Sequence, residues 1–231
     1  MSGIKVKICG LTKASDAQVA ADYGAAYLGF IFFEESPRNL SIEAAIALEP
    51  DLPIGPERVG VFVDASDDLI GAAVAALKLD WIQLHGHETA VRAHHIRTEF
   101  GVKVIKAIGV SRDGDFSQLP LYAKSCDMFL FDAKPVEGAK LPGGMGQKFK
   151  WDILKNHHIR KPWLLAGGLN INNVQIAIDD SNARAVDISS GVERYFGVKD
   201  PDKIKEFLKK VAEIECPPPE FPEDPEHLDM K

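Results

Sequence analysis

Eight short apolar segments alternate with eight helix-like segments between residues 5 and 214 of this chain. Each apolar segment is four to nine residues long, which suits a strand, and polar or glycine-containing turns follow it. Parallel neighbours in a sheet need a crossover connection, so this alternation predicts an α/β fold with a parallel sheet. Eight units predict closure into a (β/α)8 TIM barrel, and an open doubly wound sheet is the alternative.

The positions of the predicted elements follow from this alternation. The strands are expected at 5–10, 27–33, 58–64, 80–85, 102–110, 128–132, 163–166 and 185–189. The helices are expected at 13–23, 42–48, 66–77, 88–100, 113–124, 150–156, 170–179 and 201–214. Pro120 weakens the fifth of these helices.

Composition divides the chain into one domain and a tail. Residues 1–215 are expected to form a single barrel domain, because barrels of this length are ordinary and 45% of the chain is hydrophobic. Residues 216–231 hold five prolines and five acidic residues and have little apolar surface to bury. This segment is expected to be a disordered or loosely attached Pro-rich acidic tail.

Charge and cysteine content exclude several classes of protein. The net charge is −7 and the basic residues are scattered, so no nucleic-acid partner is expected. Neither a membrane span nor a signal peptide is expected, because no apolar run is long enough and Lys5 and Lys7 interrupt the N-terminal segment. Cys9, Cys126 and Cys216 are odd in number and lack metal-ligand spacing, which predicts a reduced, cytoplasmic protein without a metal site.

The first predicted strand carries polar chemistry at its carboxyl end. Alternation places Lys7 and Cys9 on one face and Val6 and Ile8 on the other. Barrel active sites lie at the C-terminal ends of the strands, so the thiol beside Gly10 is a candidate catalytic group. The alternative is that Cys9 is a small buried hydrophobe, as free cysteines often are.

Further polar residues stand at other predicted strand ends: Asp64, His85, Asp132 and Asp187. If Asp132 and Asp187 face the barrel interior together with Lys7, the lysine is expected to pair with one of them, because a buried ammonium group needs a partner. The sequence leaves the roles of Asp64 and His85 open between a structural and a catalytic one.

Two glycine-containing loops predict a phosphate site. Gly167-Gly168-Leu169-Asn170 closes the seventh strand, and Ser189-Ser190-Gly191-Val192-Glu193 closes the eighth, with a short extra helix expected at 192–196. Barrels commonly bind phosphate with these two loops and the N-terminus of that helix. Backbone N–H groups make the contacts, so glycines allow the close approach.

Another glycine-rich segment, Gly143-Gly144-Met145-Gly146, does not indicate a dinucleotide site. A dinucleotide fingerprint follows the first strand of its fold, whereas this segment follows the sixth, and no acidic residue stands at the distance that binds ribose. NAD is therefore rejected, no cofactor is expected, and the segment is interpreted as a flexible loop over the site.

Arg38, in an acidic loop after the second strand, is either a solvated residue or a clamp for a planar carboxylate.

The motifs at the strand ends, taken in order, resemble one enzyme family. They are Lys7-Ile8-Cys9-Gly10-Leu11-Thr12, Ser36-Pro37-Arg38, Gly60-Val61-Phe62-Val63, Gln83-Leu84-His85-Gly86, Phe131-Asp132, Gly143-Gly144-x-Gly146, Ala166-Gly167-Gly168-Leu169 and Asp187-x-Ser189-Ser190-Gly191-Val192-Glu193. As a set they resemble the phosphoribosylanthranilate isomerases of tryptophan biosynthesis, over residues 5–212. The family usually has Thr where Met145 stands and often Asp where Lys150 stands, which concerns loop closure and affinity more than the chemistry.

The resemblance implies an Amadori rearrangement of a phosphoribosyl aminoaldose to an aminoketose, without a cofactor. It implies that Cys9 is the general base, that Asp132 is the general acid and that Arg38 holds the anthranilate carboxylate. A nearby lysine is expected to increase the thiolate fraction of Cys9. The other residues expected to line the substrate site are Lys7, His85, Asp187, Gly167, Gly168, Ser190 and Gly191. The expected partner is this small-molecule substrate, and the chain is expected to be a monomer or a homodimer.

Other functions remain as alternatives. A metal-dependent pentose-phosphate epimerase would need His and Asp ligands at several strand ends, and among the histidines only His85 stands at one. An indole-glycerol-phosphate synthase would need lysines at strand ends, where none is expected. A phosphosugar-binding protein without activity is disfavoured because the chain carries both Cys9 and Asp132.

Overall fold

The computed structural model describes residues 3–134 and 150–218, in which eight parallel strands form a closed barrel. The strands are β1 (Lys5–Cys9), β2 (Tyr27–Phe32), β3 (Glu57–Phe62), β4 (Trp81–Leu84), β5 (Lys103–Val110), β6 (Met128–Ala133), β7 (Trp163–Leu165) and β8 (Ala185–Ile188). They pair in chain order, and β8 pairs with β1 to close the ring. The predicted (β/α)8 TIM barrel is confirmed.

The α-helices lie between the barrel strands in sequence, except for the last one, which follows β8. They are α1 (Ala14–Asp22), α2 (Ile42–Leu48), α3 (Asp67–Leu77), α4 (Ala90–Phe100), α5 (Leu119–Tyr122), α6 (Val174–Ser181) and α7 (Pro201–Ala212). Ser41, Ser66 and Thr89 fix the starts of α2, α3 and α4, because each side chain accepts a hydrogen bond from a backbone N–H three residues later.

A 3-10 helix (Trp151–Asn156) takes the place of the helix expected at 150–156, and two other predicted helices are shortened by local chemistry. Instead of one helix at 113–124, a 3-10 turn at Asp113–Gln118 precedes α5, whose first turn tolerates Pro120 because its N–H groups lack helical partners. Helix α6 begins at Val174 rather than at residue 170. Asn173 accepts from Asn170 N at 2.7 Å and donates to Gly168 O at 2.9 Å, which holds this segment as a turn.

The prediction of a short extra helix at 192–196 is wrong. A 3-10 turn (Ser190–Val192) follows β8, and an antiparallel hairpin of β9 (Glu193–Tyr195) and β10 (Val198–Lys199) follows the turn. Gly197 lies between the two strands with φ of +83°, a conformation that favours glycine. A Cβ atom there would also lie 2.9 Å from Pro37 O, so the hairpin packs closely against the loop after β2.

The apolar core has two layers, which follow the alternation of side chains along the strands. The inner layer fills the barrel and consists of Tyr27, Val59, Trp81, Ile105, Ala107, Met128, Leu130, Leu164, Ala166 and Ala185. The outer layer packs between the strands and the helices and includes Ile8, Leu28, Phe62 and Val186. The side chains of a strand that point away from the outer layer therefore point into the barrel.

Two predicted features lie wholly or mostly outside the described residues. These are the segment Gly143-Gly144-Met145-Gly146 and the tail at 216–231, of which only residues 216–218 are described. Within the described residues, no helix combines the length and the apolar character needed to cross a bilayer.

Candidate active site

A buried ion pair joins two neighbouring strands inside the barrel. The Nζ atom of Lys7 lies 2.9 Å from Oδ1 of Asp187, and the two residues are register partners on β1 and β8. Ala185, two residues before Asp187, belongs to the inner apolar layer, so the pair faces the interior. The predicted pairing of Lys7 is confirmed with Asp187, and Asp132 is not its partner.

The Lys7 ammonium group is stabilised by its surroundings although it has no exposed surface. Burial alone would lower the pKa of Lys7, but Asp187 and Cys9 act in the opposite direction, and the net pKa is raised. Lys7 therefore stays protonated through the neutral range and keeps a positive charge beside the end of β1.

Replacing Lys7 by methionine is expected to lower the free energy of unfolding by about 3 kcal/mol, because it leaves the Asp187 carboxylate buried without its partner. Urea unfolding followed by circular dichroism measures the change. The matched control is Lys5→Met, at the exposed start of the same strand, which should change stability little. Equal losses in both variants would contradict a specific contribution from the pair.

Cys9 ends β1 on the same inner side as Lys7 and is buried, with 5% of its surface exposed. Burial raises the pKa of the thiol, Asp187 raises it further, and Lys7 and Lys199 lower it, with a net upward direction. The expectation that a nearby lysine favours the thiolate agrees with the direction of the Lys7 effect, although the net pKa of Cys9 in the free enzyme is raised. The lysine is present, but burial and Asp187 outweigh it.

Gly29 on β2 provides the space for these side chains. It is the register partner of Cys9, and a Cβ atom at Gly29 would lie 3.1 Å from both Cys9 Sγ and Lys7 Cε and 3.0 Å from Cys9 Cα. Such contacts are tighter than most side chains tolerate. A side chain at this position would displace either the thiol or the lysine stem.

Asp132 faces the interior from β6, three strands from β1 around the ring. Leu130, two residues earlier, belongs to the inner layer. The Oδ1 atom of Asp132 accepts a hydrogen bond from Ala133 N at 2.8 Å, and its Oδ2 atom lies 3.5 Å from Nε2 of His85. One carboxylate oxygen is thus held by the backbone, and the other is directed towards the imidazole.

His85 is held beside Asp132 by Gln83. Nε2 of Gln83 lies 2.8 Å from Nδ1 of His85, and Gln83 is buried inside the barrel. When this amide donates, the proton of a neutral imidazole resides on Nε2, the atom nearest Asp132. His85 is therefore a neighbour of Asp132 rather than a separate surface group. Gln83, which holds the imidazole in place, was not predicted from the sequence as a site residue.

Arg38 is buried and already bound to a carboxylate of the chain. Its Nε atom lies 2.6 Å from Oε1 of Glu193, and its Nη2 atom lies 2.9 Å from Oε2. The ring of Phe196, in the hairpin turn, lies 5.1 Å from the guanidinium carbon. Arg38 is thus not a solvated surface residue. Glu193 engages two guanidinium nitrogens, and the third, Nη1, is not part of this pair.

Lys199 is a second cation on the same carboxylate, a residue not predicted from the sequence. Its Nζ atom lies 2.9 Å from Glu193 Oε1, 2.9 Å from Ser189 O and 3.2 Å from Ser189 Oγ. Ser189 Oγ in turn donates to Cys9 O at 3.0 Å. The short hairpin that buries Lys199 has no periodic pattern, so only the pairing partner Glu193, inside a recognised motif, could have suggested it.

The two predicted phosphate loops are adjacent in the structure. A Cβ atom at Gly191 would overlap the carbonyl oxygen of Leu169, so the loop after β8 packs directly on the loop after β7. Gly167 and Gly168 have φ values of +91° and +64°, which glycine adopts without strain. Ser190 begins the 3-10 turn, whose first N–H groups have no partner within the turn.

Asp64 holds two loops together at the edge of the barrel mouth. It has a φ of +47°, and its Oδ1 atom accepts from His87 N at 2.8 Å. Its own N–H donates to Glu88 Oε1 at 2.9 Å. These contacts account for Asp64 as a structural residue of the loops after β3 and β4.

Lys106 is a buried lysine in the middle of β5, and its side chain reaches the end of the neighbouring strand β4. Its Nζ atom lies 2.8 Å from both Gly86 O and Glu88 Oε2, beyond the end of β4. Its position on β5 has the same parity as Val104 and Ile108, which belong to the outer layer. Lys106 therefore serves the packing between strands and helices and does not face the inner site.

Across residues 3–134 and 150–218, no group of three or more His, Cys, Asp or Glu side chains is arranged to hold a metal ion. The three cysteines of the chain are unpaired thiols.

Comparison with known proteins gives a consistent result. The sequence model of the N-(5'-phosphoribosyl)anthranilate (PRA) isomerase family matches residues 6–210. The N-(5'-phosphoribosyl)anthranilate isomerase of Cereibacter sphaeroides is 46% identical over 209 residues, which are 90% of this chain and 99% of the relative.

Solved structures agree with the sequence matches. Mutually generated monomers of the dimeric phosphoribosylanthranilate isomerase from Thermotoga maritima superpose with a TM-score of 0.77 at 36% identity, covering 90% of this chain and 98% of that one. A phosphoribosyl anthranilate isomerase in complex with reduced 1-(o-carboxyphenylamino)-1-deoxyribulose 5-phosphate has a TM-score of 0.77 at 35% identity, with the same coverage.

Proposed function

Because this chain belongs to the N-(5'-phosphoribosyl)anthranilate isomerase family, we propose that Cys9 is its general base and Asp132 its general acid. The chain catalyses the Amadori rearrangement of N-(5-phosphoribosyl)anthranilate to 1-(2-carboxyphenylamino)-1-deoxyribulose 5-phosphate in tryptophan biosynthesis. The observation that supports these roles is the placement of a thiol and a carboxylate on the inner face, at the C-terminal ends of β1 and β6.

The proposed reaction needs one acid and one base. Asp132 gives its proton to the ring oxygen, the furanose opens, and C1 becomes an iminium carbon conjugated with the anthranilate nitrogen. Cys9, as the thiolate, takes the proton from C2 to form an enolamine. Return of a proton to C1 and loss of the C2 hydroxyl proton give the ketone. C2 is oxidised and C1 is reduced, so the substrate supplies both halves of the redox change and no external oxidant takes part.

Arg38 is the proposed contact for the anthranilate carboxylate. Glu193 fixes the guanidinium plane through Nε and Nη2, which directs the remaining edge of the group without a search over rotamers. A planar guanidinium suits a planar carboxylate, and the adjacent Phe196 ring gives an apolar surface beside it.

Arg38→Lys is expected to raise KM for phosphoribosylanthranilate about tenfold with a smaller change in kcat, because lysine keeps the charge but loses the fixed donor geometry. Steady-state kinetics measures both constants. The matched control is Arg58→Lys, which removes an arginine paired with Glu49 at the start of β3, the opposite end of the barrel from the site. A lower kcat at unchanged KM in Arg38→Lys would contradict a binding role.

The phosphate is proposed to contact the backbone of Gly167, Gly168, Ser190 and Gly191, in the two adjacent loops that follow β7 and β8. Lys7 and Asp187, which face the barrel interior, and His85, which lies beside Asp132, are also proposed to line the substrate site. No metal or organic cofactor has a role in this scheme.

The activity is tested by generating phosphoribosylanthranilate in the assay and following the loss of its anthranilate fluorescence. Rapid loss with the folded wild-type chain, and none with buffer, is expected. A folded chain that gives no loss above background would contradict the isomerase activity.

Cys9 has to remain a free thiol, so a reducing compartment such as the cytoplasm is the proposed location. The proposed assembly is a monomer or homodimer without nucleic acid, which light scattering checks.

A further inference from the structure

Three charged side chains behind the hairpin form a buried cluster with an excess of positive charge. Glu193 is the only carboxylate bonded to both Arg38 and Lys199 within the described residues, and all three side chains are nearly fully buried. Burial lowers the pKa of Lys199 more than Glu193 raises it, so the net direction is downward. Two cations sharing one anion leave one positive charge, which is costly in a buried place unless a further anion is close.

The hydrogen bonds of Lys199 indicate that it carries this charge. An ammonium group has three N–H donors, and the Nζ atom has three acceptors within 3.2 Å: Ser189 O, Ser189 Oγ and Glu193 Oε1. Because Ser189 Oγ uses its own proton for Cys9 O, it is free to accept from the lysine. A neutral amine would leave one of these acceptors without a donor.

The other lysine near Cys9 is already paired with an anion. Lys7 lies 2.9 Å from Asp187; it lowers the pKa of Cys9, and Asp187 raises that pKa against part of this effect. The charged groups that act on Cys9 are therefore Lys7 on its own strand, Asp187 on β8 and Lys199 on β10. Around Lys199 itself the charged groups are Glu193, Arg38, the Cys9 thiolate and Asp16 of α1.

We propose that Lys199 is a positioning residue for the general base: its ammonium group fixes the end of β8 against Cys9 through Ser189 and adds a positive charge that favours the Cys9 thiolate. The proposal rests on the role of Cys9 in the proposed function and extends it. The excess positive charge of the cluster of Arg38, Glu193 and Lys199 then serves two anions. These are the substrate carboxylate at Arg38 and the thiolate of Cys9 near Lys199.

The test is the titration of Cys9 in protein labelled with ¹³Cβ-cysteine, with its resonance assigned from the Cys9→Ser spectrum. Lys199→Gln keeps a hydrogen-bonding side chain but removes the charge, and it is expected to move the Cys9 midpoint upward by about one pH unit. Lys199→Arg, which keeps the charge, is expected to restore the midpoint. In Lys199→Gln, kcat/KM at neutral pH should fall about tenfold, in step with the thiolate fraction.

Two further variants keep the proposal falsifiable. Lys106→Gln is the matched control, because Lys106 is also a buried strand lysine paired with a glutamate, but on the outer layer. It should lower stability without moving the Cys9 midpoint. If Lys199→Gln fails to fold, Glu193→Gln gives the opposite test: removing the anion of the cluster should move the midpoint downward.

The outcomes separate this proposal from the proposed function. An unmoved Cys9 midpoint in Lys199→Gln, or an equal shift in Lys106→Gln, would overturn the role of Lys199 whatever the activity. Full activity of Cys9→Ala would instead overturn the role of Cys9 as the base, and the titration, which uses no substrate, would still report on Lys199.

Discussion

Replacing Cys9 by alanine is expected to lower kcat by about 10²–10⁴-fold, the usual contribution of a positioned general base. The thiol is the only titratable group that β1 presents at its C-terminal end, and the loss of one sulfur leaves the backbone contact from Ser189 to Cys9 O intact. Fluorescence kinetics with freshly generated substrate measures kcat and KM separately. KM should change little, because the substrate carboxylate and phosphate are bound elsewhere.

Cys126→Ala is the matched control for this variant. Cys126 is the other buried cysteine, its Sγ atom lies 3.4 Å from Tyr122 O in the outer layer, and burial raises its pKa to about 11. This variant should lose some stability and keep its kcat. Wild-type kcat in Cys9→Ala, or equal losses in both variants, would show that the thiol of Cys9 is not the base.

The raised pKa of Cys9 makes a second measurement decisive. A raised pKa means that the thiol holds its proton to a higher pH than a cysteine in an unfolded chain, so less thiolate is present near neutrality. The rate of Cys9 alkylation by a small iodoacetamide reagent is therefore expected to keep rising beyond the pH at which the urea-unfolded protein reaches its plateau. A plateau at the same or a lower pH in the folded protein would contradict the effect of burial.

The barrel and its central ion pair follow from short-range rules. Alternation of period two fixes which side of β1 and β8 each residue takes, and this was sufficient to predict that Lys7 meets an aspartate inside the barrel. Which aspartate pairs with Lys7 depends on the closure of the ring. Closure pairs β1 with β8, which carries Asp187, whereas β6, which carries Asp132, lies two strands beyond β8.

The cluster behind the hairpin could not be predicted in the same way. Arg38 and Glu193 are 155 residues apart, and the hairpin that brings Lys199 to them is only two or three residues long on each side. Such short strands have no periodicity to recognise, and a helix was expected in their place. The net direction of the Cys9 pKa could not be predicted for a related reason, since a sequence does not show how deeply the thiol is buried.

Asp132→Asn is expected to lower kcat by about 10²–10⁴-fold, comparable to the loss for Cys9, because the reaction needs an acid as well as a base. The amide is nearly the same size as the carboxyl group, and its oxygen still accepts from Ala133 N, where Oδ1 now accepts at 2.8 Å. What the variant loses is the proton given to the ring oxygen. Fluorescence kinetics, with unfolding by urea as a check on stability, measures the effect.

The pH dependence of the residual activity identifies which group has been lost. Without the acid at position 132, the remaining rate depends on the Cys9 thiolate alone, so kcat/KM of Asp132→Asn should rise with pH into the alkaline range, where the raised pKa places the thiol titration. Asp127→Asn is the matched control, because Asp127 precedes the same strand at the opposite end of the barrel and accepts from Val104 N. This control should keep the wild-type kcat and its pH profile. A wild-type kcat and pH profile in Asp132→Asn would show that Asp132 is not the general acid. His85, which lies beside Asp132, would then be the nearest candidate.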